Sequence, residues 1–380
     1  MQQPQLTSRL TDLFLELCAI PSPPGQERAV ADRVTRELDA LGLAWEEDSS
    51  GARIGSTAGN VMCRLPGEAD GGMPIFLCAH FDTVPLEGGL EPLVGEDGVI
   101  RNAGGTILGA DNKAALAVMI EAARRIVAEG RPHAGVELVF TPMEEIGLVG
   151  ATAFDLERLE ARVGYVYDQA APIGEVVVGA PSAQELALRF HGRPAHAGMY
   201  PEEGRSAILA AARAIVDMPL GRIDELTSTN VGLVRGGSAR NIVPEWCALE
   251  AEVRSHDFER VGEVVQQLVD AASFAAAISD CTLETRIEPK YRGYRHRSDD
   301  VAVRIACDAL TRCGFEPRLV LSGGAADANV FTSRGRPCVN LANGMVDIHT
   351  PDERIAVSDL ERMVDVTLAL VDVARDGHDA

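Results

Sequence analysis

The chain has 380 residues, of which 46% are hydrophobic, 24% charged and 4% aromatic, and its 57 acidic against 35 basic side chains give a formal net charge of −22. A chain of this length ordinarily divides into two domains of about 100–200 residues, with apolar content ample for packed cores rather than disorder. So anionic a surface repels phosphate backbones and anionic bilayers, which argues against nucleic acid and membrane partners, whereas metal ions and small cations are not opposed.

At the start of the chain, Thr11, Asp12 and Glu16 interrupt what would otherwise be an apolar core, and no basic segment precedes it. This stretch reads as a helix, not a signal peptide. No segment approaches the ~18 uninterrupted apolar residues of a spanning helix, so a soluble, cytoplasmic protein is expected. A helix is predicted near 27–42, followed by apolar runs at 60–65, 74–80, 136–141 and 163–167. An Ala-rich helix fills the interval from Asp111 to Glu129 and is closed by Gly130. Strands that are apolar throughout and alternate with helices predict an α/β fold with a largely parallel sheet covered on both faces. Such sheets carry their sites at the strand carboxyl ends.

From about 180 the texture changes. Alternating strands near 183–190, 229–235, 246–254 and 281–288 are interspersed with helices near 204–217 and 258–278, a βαββαβ order typical of an α+β module. The α/β texture returns at 301–345. The simplest parse is one domain, 1–179 and 294–380, split by an inserted one at 180–293. GEADGG at 67–72 and LEGGLEPL at 86–93 read as surface loops, and no internal repeat interrupts the pattern. The eight cysteines, Cys18, Cys63, Cys78, Cys247, Cys281, Cys307, Cys313 and Cys338, are scattered without a CxxC pair, as expected of reduced thiols in a cytosolic protein.

Five places carry chemistry-bearing residues. In CAHFDTVP an apolar strand ends in His80, and Asp82 stands two residues on, on the same side of an extended backbone and spaced to hold an imidazole. The alternative is a loop histidine beside a turn aspartate. In GADNKAALA, Asp111 opens the long helix as a ligand or as a simple N-cap. In TPMEEIGLVGA, Glu144 and Glu145 follow a buried strand, where adjacent acids repel unless a cation sits between or beside them; a solvated turn is the rival. Asp168 follows VGYVY, and His349 follows CVNLA in VDIHTPDE.

All of these positions follow apolar segments or open a helix of one sheet, so they should converge on one rim. Imidazoles together with carboxylates suit Zn²⁺ or another borderline divalent ion better than Mg²⁺ or Ca²⁺. With one carboxylate bridging, the set can hold two metals about 3.5–4 Å apart, an arrangement that activates water and steadies an oxyanion. The spare carboxylate is then a natural general base.

HxDTVP, GADNKAA, EExGLxGA, a strand-terminal Asp and a final HT, in this order, resemble the M20 family of dinuclear zinc metallopeptidases over nearly the whole chain. MPLGRIDELTSTNVG, GGSARNIVP and SGGAADANVF look like its peptidase T-like subgroup. The resemblance implies two Zn²⁺ per subunit, with Co²⁺ or Mn²⁺ as substitutes. His80 and Asp168 would bind one ion, Glu145 and His349 the other, and Asp111 would bridge. Asp82 would orient His80, and Glu144 would pass a proton from a bridging hydroxide's parent water to the leaving amine. It further implies oxyanion stabilisation by His196 of GRPAHAG, often toward the partner subunit's site, and substrate contacts from Asn241 and Arg254. A bidentate Arg–carboxylate contact is physically apt for the last. Their plainer alternatives are a turn histidine, a turn asparagine and a surface ion-pair partner. A homodimer through the inserted domain, which also serves as a lid, is implied too.

Asp rather than Glu at position 168 resembles members that act on peptide amino termini, which points to an aminopeptidase releasing the first residue of di- or tripeptides. Ala325 and Ala326 depart from the subgroup's usual glycine- and serine-rich form. N-acyl amino acid deacylation or carboxypeptidase action on the same site is the rival activity. A non-catalytic metal-binding regulator would be expected to lack a ligand or the base, and neither is missing.

Overall fold

The computed structural model describes residues 8–67 and 72–377. The first seven residues of the N-terminal segment and most of the GEADGG loop lie outside these. The chain forms two compact units, one built from the segment up to Gly179 together with that from Arg295 onward, the other from Ala180–Tyr294.

In the first unit the sheet runs in the order Trp45–Glu47, Val61–Leu65, Val136–Thr141, Ile75–His80, Val163–Gln169, Cys338–Ala342 and Glu175–Ala180, with Arg318–Leu321 also paired to Glu175–Ala180. The four strands at its centre are parallel: Ile75–His80 lies between Val136–Thr141 and Val163–Gln169, and Cys338–Ala342 follows. Antiparallel pairing is confined to the flanks, at Val61–Leu65 and Glu175–Ala180. Ile75–His80 and Val136–Thr141 are buried along their whole length, which is why both read as unbroken apolar runs. Helices Arg9–Cys18, Arg28–Ala40, Ala110–Glu129, Val301–Arg312 and Val357–Asp376 contribute their apolar stripes to the same core. Parallel register brings the carboxyl ends together along one edge, with His80 opposite Thr141 and Ala342 opposite Gln169.

The second unit is an antiparallel sheet in the order Gly221–Arg222, Thr227–Gly236, Trp246–Ser255, Ser182–His191, Thr282–Tyr291. Leu186, Leu188 and Phe190 alternate inward against helices Ala207–Asp217 and Phe258–Ile278. Phe258–Ile278 is the one described helix long and apolar enough to cross a membrane by length and composition. Its Val261, Val264, Leu268 and Ala272 face are buried in that core, and Glu259, Arg260 and Asp270 interrupt the remainder.

Several elements depart from the expectations above. Pro92–Val94, Val99–Asn102 and Arg354–Ala356 form a separate small antiparallel sheet, so the segment 86–93 is not wholly loop. Strand Glu175–Ala180 and helix Val357–Asp376 were not anticipated. All eight cysteines are free, six of them buried.

Gly164 illustrates how tightly the centre is packed. It faces Phe76 across the parallel pair, and a Cβ built on it would lie 2.1 Å from the Phe76 ring. That ring in turn packs on Phe331, with centroids 4.9 Å apart. Gly164→Ala is therefore expected to lower stability by about 1–3 kcal/mol through overpacking, measurable as a shift of the urea unfolding midpoint at unchanged slope.

Candidate metal centre

Each acidic or imidazole group at the rim arrives by a different route. His80 is the last residue of its strand, and Glu144 and Glu145 occupy a turn after Thr141 framed by left-handed residues at Met143 (φ 56°) and Leu148 (φ 60°). Asp168 sits near the end of its strand, and His349 is on a loop at φ 63°. Asp111 lies where the long helix begins, but with φ −80° and ψ 104° it is not yet helical, and the Asp111–Asn112 peptide is cis. Its carboxylate does not cap the helix.

That carboxylate instead faces both imidazoles. Asp111 Oδ1 lies 3.2 Å from His80 Nε2, and Oδ2 lies 3.1 Å from His349 Nε2. Asp168 Oδ1 is 3.9 Å from His80 Nε2, and Glu145 Oε1 is 3.3 Å from His349 Nε2. Two overlapping sets, His80 with Asp111 and Glu145, and His80 with Glu144 and Asp168, each keep their ligand atoms within 4.8 Å of one another. Glu145 Oε1 is buried and has no hydrogen-bond donor of good geometry, only the His349 imidazole 3.3 Å away. A buried carboxylate oxygen whose one neighbouring donor is an imidazole, itself beside further carboxylates, fits a borderline divalent cation.

Asp82 does more than the sequence suggests, and by a different atom. The His80 Nδ1–H donates to the main-chain carbonyl of Asp82 at 2.9 Å, while the Asp82 carboxylate is 3.5 Å away. The carboxylate, fully buried, accepts the amides of Glu144 and Glu145 at 2.9 and 3.0 Å. Asp82 thereby fixes the His80 tautomer with its backbone and the two glutamates with its side chain.

Burial pushes Glu144 and Asp168 well above the ordinary carboxylate range, and neighbouring acids add to it. Burial likewise raises Glu145. Burial opposes a charged His80, yet its hydrogen bonds to Asp111, Asp168 and Asp82 hold the imidazole well above its usual value. Hydrogen bonds to Asp111 and Glu145 raise His349 to about 10. Burial works against an ionised Asp111, but the two imidazoles hold its carboxyl below the usual range.

The sequence profile of peptidase family M20/M25/M40 matches residues 76–373, a span that includes every residue of this cluster. The chain belongs to this family. Among solved structures it is similar to the aminopeptidase PepT of Bacillus cereus ATCC 10987, with 38% identity, 96% of this chain and 98% of that one covered, and a TM-score of 0.88. It is also similar to a tripeptidase from Staphylococcus aureus subsp. aureus Mu50, with 35% identity, 97% and 98% coverage, and a TM-score of 0.92. Peptidase T of Vibrio cholerae serotype O1 is 27% identical over 93% of this chain and 92% of its own length.

Several residues of this M20 chain's rim escaped the sequence reading. Asn112 Nδ2 donates to the Tyr167 carbonyl at 2.9 Å and to Asp168 Oδ1 at 3.3 Å. Asn340 exchanges two hydrogen bonds with the Asp168 backbone, at 2.8 and 3.1 Å. Asp327, which burial raises to about 6, accepts from Thr141 Oγ1 at 2.5 Å and from the Cys78 thiol at 3.7 Å. Glu353 takes the amides of Gly109 and Asp111. The only cue to the last was an acid four residues beyond His349.

His196, Asn241 and Arg254 belong to the second unit. A backbone bridge between His196 and Ile242, with Ala197 N donating to Asn241 O at 3.0 Å, sets His196 and Asn241 side by side. His196 Nδ1 accepts the amides of Gly198 and Met199 at 3.2 and 3.1 Å, so the neutral ring carries its proton on exposed Nε2. Arg254 is not with them. It stands opposite Ala183, whereas the strand end nearer His196 is marked by Trp246 opposite His191. Its guanidinium is forked onto Glu252 at 3.1 and 3.0 Å, the ion-pair arrangement named above as its plainer alternative.

Because His80 and His349 are raised, the metal-free site holds protons that a metal must displace. Zn²⁺ titrated into chelated protein at pH 7 is expected to release protons, and affinity should fall as pH is lowered. Calorimetric heats compared across buffers of different ionisation enthalpy check this; heats independent of buffer contradict it.

Proposed function

We propose that this M20 chain is a dinuclear zinc aminopeptidase that releases the amino-terminal residue of di- or tripeptides. The observation that carries the reading is the shared carboxylate of Asp111, one oxygen on each imidazole. His80 and Asp168 would hold one ion and Glu145 and His349 the other, with Asp111 common to both. When bound, such a pair of ions polarises a carbonyl and lowers the pKa of water held between them.

The remaining chemistry belongs to the chain. Glu144 is buried, its amide is anchored on Asp82, and burial makes its carboxylate a stronger base, as suits a group that as carboxylate takes a proton from water and then, as the acid, gives it to a departing amine. His196, with Nε2–H free to donate, is proposed to stabilise the developing oxyanion, and Asn241 to hold the substrate backbone. Arg254 is proposed to reach the substrate carboxylate, which requires it to exchange Glu252 for that ligand. The relatives named PepT aminopeptidase and tripeptidase support short peptides with a free α-amine, as does Asp at position 168.

The inserted unit is proposed as lid and dimerisation domain. Ile208, Leu209 and Val216 of its helix Ala207–Asp217 are 42%, 49% and 83% exposed, apolar surface that a homodimer would cover. Eight free cysteines suit a reducing cytoplasm.

Glu144→Gln is expected to retain both metal ions while kcat falls by roughly 10²–10⁴; unchanged turnover removes Glu144 from the role of base. With wild-type protein, Ala-Ala and Leu-Gly-Gly should be cleaved in a chelator-sensitive, zinc-restored manner, and N-acetyl-Leu-Gly-Gly and N-acetyl-Leu should not. Cleavage of the acetylated compounds instead would make the chain a deacylase or carboxypeptidase.

A further inference from the structure

Glu353 is a buried carboxylate, 1% exposed, that the proposed reaction does not use. Its Oε2 accepts the amide of Gly109 at 2.7 Å and its Oε1 the amide of Asp111 at 3.0 Å. Gly109 is left-handed at φ 76°, and Asp111 is non-helical, so the turn between them is not a continuation of the helix and needs another partner for its amides. Glu353 supplies it.

The same residue closes the loop that carries His349. Its own amide donates to Thr350 O at 3.1 Å, and Val346 and Arg354 exchange backbone hydrogen bonds of 3.0 and 3.1 Å across the neck of the loop. Directly after Glu353, the strand Arg354–Ala356 pairs with Val99–Asn102 in the register Arg354 to Arg101. Asn102 Nδ2 in turn donates to the carbonyls of Thr106 and Ile107, just upstream of Gly109, at 3.1 and 3.0 Å. The small sheet thus anchors both the His349 loop and the approach to Asp111, and the Glu353 side chain ties the backbone of the second to the loop of the first.

We infer that Glu353 is a positioning residue that locks the Asp111 turn to the His349 loop, so that the two metal positions form or fail together. The inference rests on the dinuclear reading above. A carboxylate with both oxygens on amides cannot be replaced without leaving a buried N–H unmatched. Glutamine keeps the shape but turns an NH₂ toward one of the two amides, and alanine removes both acceptors. Either change frees the turn that carries Asp111, and with it the one carboxylate that faces both imidazoles.

The test compares wild type with Glu353→Gln and Glu353→Ala, all metal-free at the start, by Zn²⁺ competition against a chromophoric chelator and by magnetic coupling between ions in the Co²⁺-loaded proteins. Both positions are expected to weaken together by roughly 10–100-fold, with no one-ion plateau and with coupling between Co²⁺ ions lost or reduced. Circular dichroism and thermal unfolding of the metal-free variants identify those that fold. If the alanine variant does not fold, the isosteric glutamine variant decides. A folded variant with wild-type affinity at both positions and unchanged Co²⁺ coupling overturns the inference, as does one that loses a single ion and binds the other normally. Wild-type protein that takes up no second ion overturns the dinuclear reading itself, a result distinct from any difference among the variants.

Discussion

Four carboxylates crowd one water-poor rim, and the structure around them is organised by that fact. Asp111, Glu144, Glu145 and Asp168 approach one another closely enough that burial and mutual repulsion raise three of the four. Charges a few ångströms apart in an environment of reduced dielectric interact by several kcal/mol, so the cluster is stable only with positive charge among it. In the bare protein that charge comes from His80 and His349, each drawn upward by the acids it faces. A pair of divalent ions would satisfy the same requirement with the imidazoles neutral. The cluster's geometry therefore suits exchange between protons and metal ions.

The acids at the rim are held by other acids. Asp82 presents its carboxylate to the amides of Glu144 and Glu145, and Glu353 presents its own to those of Gly109 and Asp111. In each case a buried carboxylate collects the N–H groups of a turn, and the turn aims a residue proposed as ligand or base the other way. The device places further carboxylates behind a centre that already has an excess, and it works because each supporting carboxylate accepts two oriented amide dipoles.

Much of this was legible in the sequence, for a physical reason. Strands buried on both faces must be apolar along their length, so VELVFT and IFLCAH announced themselves, and the residues ending them could be placed on one edge by the parallel topology alone. The α+β texture of the inserted unit followed from period-two burial at Leu186, Leu188 and Phe190. What stayed hidden acts through pairing over long sequence distances. Pro92–Val94 and Arg354–Ala356 are three residues each and become strands only by meeting Val99–Asn102, some 250 positions from the second of them. Asp82 was recognised, but its spacing from His80 could not show that the carbonyl takes the imidazole while the carboxylate serves the glutamates. Asp111 looked like an N-cap because caps and ligands share residue types; only the backbone angles, which keep it outside the helix, separate the two.

Asn340 shows how a sheet built for rigidity can nonetheless release a ligand at its edge. In the parallel ladder between Val163–Gln169 and Cys338–Ala342, register is regular up to Asn340 opposite Val166 and then shifts before Ala342 opposite Gln169. Asp168 lies within that irregularity. Its amide donates to Asn340 Oδ1 and its carbonyl accepts from Asn340 Nδ2, so one side-chain amide replaces the two backbone partners that a regular ladder would have offered. Asn112 secures the adjoining Tyr167 carbonyl and Asp168 Oδ1 from the other side. The strand can thus leave its regular pairing without orphaning buried backbone groups, and Asp168 turns toward His80. Aspartate lacks the χ angle by which a glutamate there could reorient, so at this position the precision of the ligand is inherited from the backbone. That makes the asparagine pair as much a part of the centre's construction as the imidazoles it serves.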